Sequence, residues 1–210
     1  MPAAARGELR VRIVSIGAAA PETRVSNAQL ESFVDTSDEW IQKRTGIGSR
    51  HLLDPSVGLS NLASLAAQRA LQAADVDPSE VDLVILATSS PDDLFGDAAC
   101  VASEIGATKA VAFDLTAACS GFMFGVNTAS QFLHNGAYNT AVVIGADALS
   151  RWVDWSDRKY ARALRSLHPD LSGYTHALRL CPIISSCCHV LSQYVRPVRR
   201  RCGCSSAQAS

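Results

Sequence analysis

Long apolar runs are missing from this sequence. None of its 210 residues belong to a stretch approaching the ~18–20 apolar positions that a membrane-spanning helix needs. The opening, "MPAAARGELRVRIVSIG", lacks the apolar core of a secretory signal and is short for an organellar transit peptide, so a cytoplasmic location is expected. A plastid stroma is the alternative if residues precede Met1. Cysteine is scarce as well: residues 1–158 hold only Cys100 and Cys119, which excludes a disulfide framework there and fits a reducing compartment. No repeat of 20–50 residues appears. Positive charge is thin over the same span, with 11 Lys+Arg against 19 Asp+Glu. Residues 159–210 reverse this, with 8 against 1, and carry the other five of the seven cysteines.

What is present is an alternation of strand-like and helix-like segments. "VRIVSIGAAAPE" reads as a strand ending at a turn at Pro21. Ser26 and Ser37 are N-caps for two short helices. Ser60 opens a longer helix whose Leu62, Leu65, Ala66, Ala70 and Ala73 recur at helical spacing, ending before Pro78. "VDLVILATSS" is a continuous apolar run of strand length, the pattern of a strand covered on both faces. A loop, "PDDLFGD", leads to a helix over "AACVASEIGA". "AVAFDL" is a further strand, the segment after Cys119 a helix ending at Gly136, and "NTAVVIGADAL" another strand. Such alternation argues for an α/β protein with a mainly parallel sheet. After Arg158 no apolar run clearly continues the sheet, so residues 159–210 are read as a separate, irregular tail.

Cys119 sits in "AFDLTAACSGFMFG", between a strand and a helix. The thiolate is the nucleophilic form of cysteine, and the unpaired N–H groups and dipole at a helix start favour it. Ala117, Ala118, Ser120 and Gly121 leave room for a substrate beside the sulfur. The helix that follows would bury Phe122, Val126, Ala129 and Leu133. The plain alternative is that Cys119 is a small buried hydrophobe, the common state of a free cysteine. Cys100 reads as a packed helix residue.

Four segments occur in order: "DTSDEWIQKRTGI", "ATSSPDDLFGDAAC", "FDLTAACSGF" and "GADALSRWVDWSDR". Together they resemble β-ketoacyl-acyl-carrier-protein synthase III, an acyltransferase that starts type II fatty acid synthesis, in its cyanobacterial and plastid forms. The resemblance runs from about Val11 to Arg158. It implies the N-terminal half of a thiolase-like fold, a mixed, mainly parallel sheet with helices on both faces. It implies that Cys119 accepts acetyl from acetyl-CoA as a thioester, which then condenses with malonyl-acyl-carrier protein. Trp40 and Arg151 match the pair that sandwiches the adenine of coenzyme A, a stacking role suited to an indole and a guanidinium. Arg44 and Thr36 match further nucleotide contacts, and Phe95 matches a residue that reaches across a homodimer interface to close the partner's acyl pocket. No resident cofactor is implied, since coenzyme A enters as substrate; neither is a metal, a nucleic acid or a membrane. Taken singly, each residue has a plainer role: Trp40 as an anchor between helices, Arg44 as a helix C-terminal charge, Arg151 as a loop charge paired with Asp154 and Asp157, Phe95 as core.

The match stops at Arg158. The family continues there with a glycine-rich strand, whereas this sequence continues "KYARALRSL". The family's second half supplies a histidine, an asparagine and an oxyanion-hole glycine. His168, His176 and His189 stand in no matching context, and Asn139 is the last asparagine. The expectation is therefore a chain impaired in condensation, or a non-catalytic fragment that at most dimerises with an intact subunit. The tail itself is read as out-of-frame or alternatively spliced sequence. Its cysteines, Cys181, Cys187, Cys188, Cys202 and Cys204, do not follow zinc-site spacing.

Overall fold

The computed structural model describes residues 10–153 and 190–198. Its centre is a five-stranded mixed sheet. The strands are β1 (Arg10–Ala19), β4 (Leu83–Ala87), β5 (Val111–Leu115), β6 (Ala141–Gly145) and β7 (Val190–Val198). A two-stranded ribbon of β2 (Arg24–Ser26) and β3 (Ser49–His51) stands apart from it. The central order is β1-β7-β6-β4-β5, with β4 parallel to β5 and β6, and β7 antiparallel to both its neighbours. The helices are α1 (Asn27–Glu31), α2 (Asp38–Thr45), α3 (Leu59–Ala73), α4 (Ala98–Glu104) and α5 (Gly121–His134). Among the described residues no helix is long and apolar enough to cross a membrane.

All five residues of β4 are buried, as the continuous run "LVILA" predicts for a strand covered on both faces. Val84 and Leu86 point into a cluster with Leu59, Leu62, Ala63, Ala66 and Ala67 of α3 and Val101 of α4. Leu83 and Ile85 point the other way, toward Ala129 and Leu133 of α5. Among the described residues two helices thus cover one face and a single helix the other, and these leave the β1 edge of the α5 face open. Ile13 and Ile16 are half exposed there, on either side of a register shift in β1.

Small residues set the helix-to-sheet distance. A Cβ on Gly17 of β1 would lie 2.2 Å from the Ala66 carbonyl oxygen, so α3 rests its backbone directly on that strand. On α5 the buried stripe is Gly121, Gly125, Ala129 and Leu133, one residue per turn. The expected stripe held Phe122 and Val126 instead. Both are only partly buried, flanking a contact line whose first turns hold only Gly121 and Gly125.

Ser26 and Ser37 cap α1 and α2 as their sequence positions predict, each accepting from a backbone amide of the first turn. Ser60 does not open α3: the cap is Gly58, and Ser60 lies buried inside the first turn. Leu65 and Ala73 also leave the predicted stripe, both being exposed, while Leu59, Ala63, Ala67 and Leu71 join it.

Within the tail, where no apolar run clearly continues the sheet, residues 190–198 form β7. "VLSQYVRPV" inserts between β1 and β6, pairing nine residues with β1 and five with β6. Pro197 lies within this strand although proline lacks an amide to donate. The register resolves this: pairing with β6 stops at Val195, so Pro197 faces Val11 of β1 on one side only.

Candidate active site

The registers of β4, β5 and β6 decide where the site lies. Ala87 pairs with both Leu115 and Gly145, so the carboxyl ends of the three parallel strands are level. The loops that follow them, 88–97, 116–120 and 146–152, leave the sheet at one end. In open α/β sheets, that is where ligands bind.

From β5 the chain turns through Thr116 and Ala117 into a 3₁₀ turn, Ala118–Ser120, and straight into α5. Ala118 holds φ at +45°, a left-handed conformation costly to an alanine, which marks a strained elbow. Cys119 is exposed at its tip, two residues ahead of the 14-residue helix. Cys119 is thus not the buried residue of the plain alternative. Cys100, expected to be packed, is exposed as well; its Sγ donates to Glu104 Oε1 at 3.6 Å. Partial desolvation of the sulfur first and the neighbouring Glu104 carboxylate second push the Cys100 thiol up, away from its reactive form, although the residue as a whole is exposed.

Four carboxylates brace the loop after β4. Asp147 accepts from the Ser89 amide and the Ser90 hydroxyl, at 2.8 and 2.9 Å. Ser90 in turn accepts from the Ala148 amide at 2.8 Å. Asp114 accepts from the Asp97 and Ala98 amides at the start of α4. Asp97 accepts from the Asp92 and Asp93 amides. Burial pushes the Asp97 carboxyl up, with the Asp92 and Asp114 charges adding to it against the opposing amides. Asp92 accepts from the Ser60 amide at 3.0 Å and pairs with Arg151 at 2.5 Å. Burial works against its charge, but Arg151 and the Leu59 and Ser60 amides outweigh that and hold its carboxyl below the usual range. Sequence reading missed these aspartates; all four lie within or beside the quoted segments, spaced without any motif of their own.

Phe95 and Leu94 sit at the tip of the braced loop, 93% and 90% exposed. Phe95 is therefore not core. Gly96, at φ +94°, lets the backbone turn against Asp114; a Cβ there would collide with that carboxylate. Arg151 lies in a 3₁₀ turn, Leu149–Trp152. It donates from Nη1 to Asp92 and from Nη2 to the Val57 carbonyl oxygen. Its carboxylate partner is thus Asp92; Asp154 and Asp157, read as its plain surface partners, lie outside the described residues. Trp40, half-buried on α2, carries the Arg44 guanidinium 3.9 Å from its ring centroid. The structure so joins Trp40 with Arg44, and Arg151 with Asp92. The hydroxyls of Thr36 and Ser150 are buried without a hydrogen-bond partner among the described residues, and such atoms call for an explanation. Among those residues no group of three His, Cys, Asp or Glu is placed to hold a metal. His168, His176, His189 and the five tail cysteines lie outside them.

A mixed sheet of this order with a cysteine elbow at the ends of its parallel strands is the N-terminal half of a thiolase-like fold. Solved structures agree. 3-Oxoacyl-[acyl-carrier-protein] synthase III of Aquifex aeolicus superposes with a TM-score of 0.75 and 33% identity, over 91% of this chain and 55% of its own. The Thermus thermophilus enzyme gives 0.73 and 33%, over 90% and 52%. A family model described as 3-oxoacyl-[acyl-carrier-protein (ACP)] synthase III matches residues 113–164. The β-ketoacyl-[acyl-carrier-protein] synthase III of Microcystis aeruginosa is 60% identical over 148 residues, 70% of this chain and 44% of the relative. That of Thermosynechococcus vestitus is 60% identical over 149, covering 71% and 45%. Over about 70% of its length the chain matches the β-ketoacyl-acyl-carrier-protein synthases III, of cyanobacterial type, and it spans a little under half the length of these relatives.

Proposed function

We propose that this chain carries the acyl-loading half of a β-ketoacyl-acyl-carrier-protein synthase III, with Cys119 as the acyl acceptor. The observation that carries the reading is the exposed Cys119 on a strained elbow at the start of a long helix. In the loading step the Cys119 thiolate attacks the acetyl carbonyl carbon of acetyl-CoA. A carbon–sulfur bond forms to Cys119 as the bond to coenzyme A breaks, and the departing thiolate takes up the proton that Cys119 released. Covalent capture divides the transfer into two easier steps.

Trp40, Arg151, Arg44 and Thr36 are the proposed contacts to the nucleotide end of coenzyme A. The Trp40 ring and Arg151 guanidinium suit an adenine face. The second substrate is malonyl-acyl-carrier protein, whose decarboxylation supplies the attacking enolate. Donors aimed at its oxyanion are worth about 10²–10³ in rate each. With no assigned histidine or asparagine for that step, the 210-residue chain alone is proposed to load far better than it condenses.

A second reading is favoured by Phe95 and Leu94. An apolar pair so exposed on a braced loop fits an interface, so the chain would act as a dimer partner offering Phe95 to another subunit. Incubation of the chain with acetyl-CoA, followed by intact-mass measurement, tests the first reading. One acetyl group is expected, retained in Cys100→Ala and lost in Cys119→Ala. Absence of the adduct, or its persistence in Cys119→Ala, refutes the loading role and leaves the dimer-partner reading.

A further inference from the structure

Asp92 lies where three segments meet. Its own loop follows β4; its carboxylate accepts from the Leu59 and Ser60 amides at the start of α3; and it pairs with Arg151 from the loop after β6. Neither partner of the ion pair is freely solvated, the side chains being 24% and 25% exposed. A carboxylate at a helix N-terminus is held by unpaired amides and dipole alike, so Asp92 is an anchored acceptor rather than a wandering surface charge. The contact is tight enough that a Cβ on Gly58 would lie 2.9 Å from its Oδ2.

Arg151 meets this anchor edge-on. Nη1 donates to Asp92 and Nη2 to the Val57 carbonyl oxygen. Guanidinium hydrogen bonds lie in the plane of the group, so two of them fix that plane and leave its faces out of the bonding. A free arginine surrenders much of its rotamer freedom when a flat ring stacks on it, and one already fixed does not.

We propose that Asp92 is the positioning residue for nucleotide recognition, holding the Arg151 guanidinium by its edge so that the purine of an acyl-CoA meets a preset stacking face. This rests on the reading of Cys119 as acyl acceptor and Arg151 as a nucleotide contact. Its test compares loading of Cys119 in the full chain by acetyl-CoA and by acetyl-pantetheine, which has the same thioester and no nucleotide. In Asp92→Asn the acetyl-CoA concentration for half-maximal loading rate is expected to rise about three- to tenfold, with acetyl-pantetheine loading unchanged. Asparagine retains an acceptor for the Ser60 amide. Asp92→Ser, too short to reach Arg151, gives the second variant and should show the same thioester-selective loss. In an Arg151→Ala background either change should add nothing, because the effect passes through Arg151.

Equal losses on both thioesters, or losses that add to Arg151→Ala, overturn the inference and reduce Asp92 to a structural cap. If Arg151→Ala loads like the unaltered chain, the nucleotide reading of Arg151 falls and the inference falls with it. If the unaltered chain loads from neither thioester, the acyl-acceptor reading itself is wrong, and the role of Asp92 goes too.

Discussion

A proline at Ser192 should unseat β7, and the size of the loss can be set from the register. Ser192 pairs with Gly17 on one side and Ile144 on the other, within the stretch where β7 has strands on both flanks. Gly17 and Ile144 are both buried, so water cannot replace the ladder bond lost on either side. Proline removes the amide donor, and an orphaned buried acceptor costs about 1–3 kcal/mol. Ring strain against the neighbouring strand adds to it. For a chain of this size each kcal/mol is worth about 2–4 °C in midpoint, so Ser192→Pro should melt on the order of 5–10 °C below the unaltered protein. Pro197, paired with β1 alone, shows where a proline is tolerated; proline at Val198, beyond the reach of β6, should shift the midpoint much less. Deletion of residues 190–210 is the stronger form, since β1 then loses the neighbour it has among the described strands. That variant should lose cooperative unfolding by circular dichroism. An unchanged midpoint in Ser192→Pro would refute the placement of 190–198 in the sheet, and the reading of the whole tail as irregular would stand.

Gly125→Val puts carbon where a Cβ already meets Val143 Cγ1 at 2.9 Å, so it should cost at least about 1–3 kcal/mol by overpacking; α5 would lift and Cys119 loading should fall with it, read by urea melts and intact mass. Leu133→Ala, at a fully buried position in the same stripe, should cost about 2–5 kcal/mol in the same melts. Asp92 has its carboxyl held below the ordinary range, so its contribution to stability is fully present above that range and lost as pH falls through the lowered value. The stability difference between the unaltered chain and Asp92→Asn should therefore shrink on acidification; a difference that grows would show the sign to be wrong. Phe95→Ser should weaken self-association in sedimentation velocity without lowering the melting midpoint, because the ring is 93% exposed in the single chain.

Periodicity and capping made most of this fold legible. β4, β5, β6 and the two serine caps fall where apolar runs and Ser positions put them, because those signals come from a residue's own neighbours in sequence. The errors share a cause. Which face of α5 is buried depends on how closely β4 and β6 approach it, and this favours Gly121 and Gly125 over the larger Phe122 and Val126. β7 was hidden because a strand reads as a strand only relative to the partners it finds, and Pro197 is acceptable only at a register that nothing local specifies. Cys119 was legible as an elbow; Asp92 was not, since an aspartate in a loop takes its meaning from amides 32 residues upstream and a guanidinium 59 residues downstream.

The levelling of three strand ends explains why a few short segments carry so much of the resemblance. Ala87, Leu115 and Gly145 stand side by side, so the residues just after each of them share one end of the sheet however far apart they lie in sequence. The segments around Asp92, Cys119 and Arg151 are those three continuations. The strands behind them need only be apolar and the right length, and many sequences meet that demand. Each loop has instead a single acceptable set of contacts: Asp147 to Ser89 and Ser90, Asp114 to the start of α4, Asp92 to α3 and Arg151. An elbow supplies a nucleophile wherever it folds. Under the proposed nucleotide reading the braced edge ties Cys119 to a particular substrate, and the contrast between acetyl-CoA and acetyl-pantetheine would measure that edge apart from Cys119.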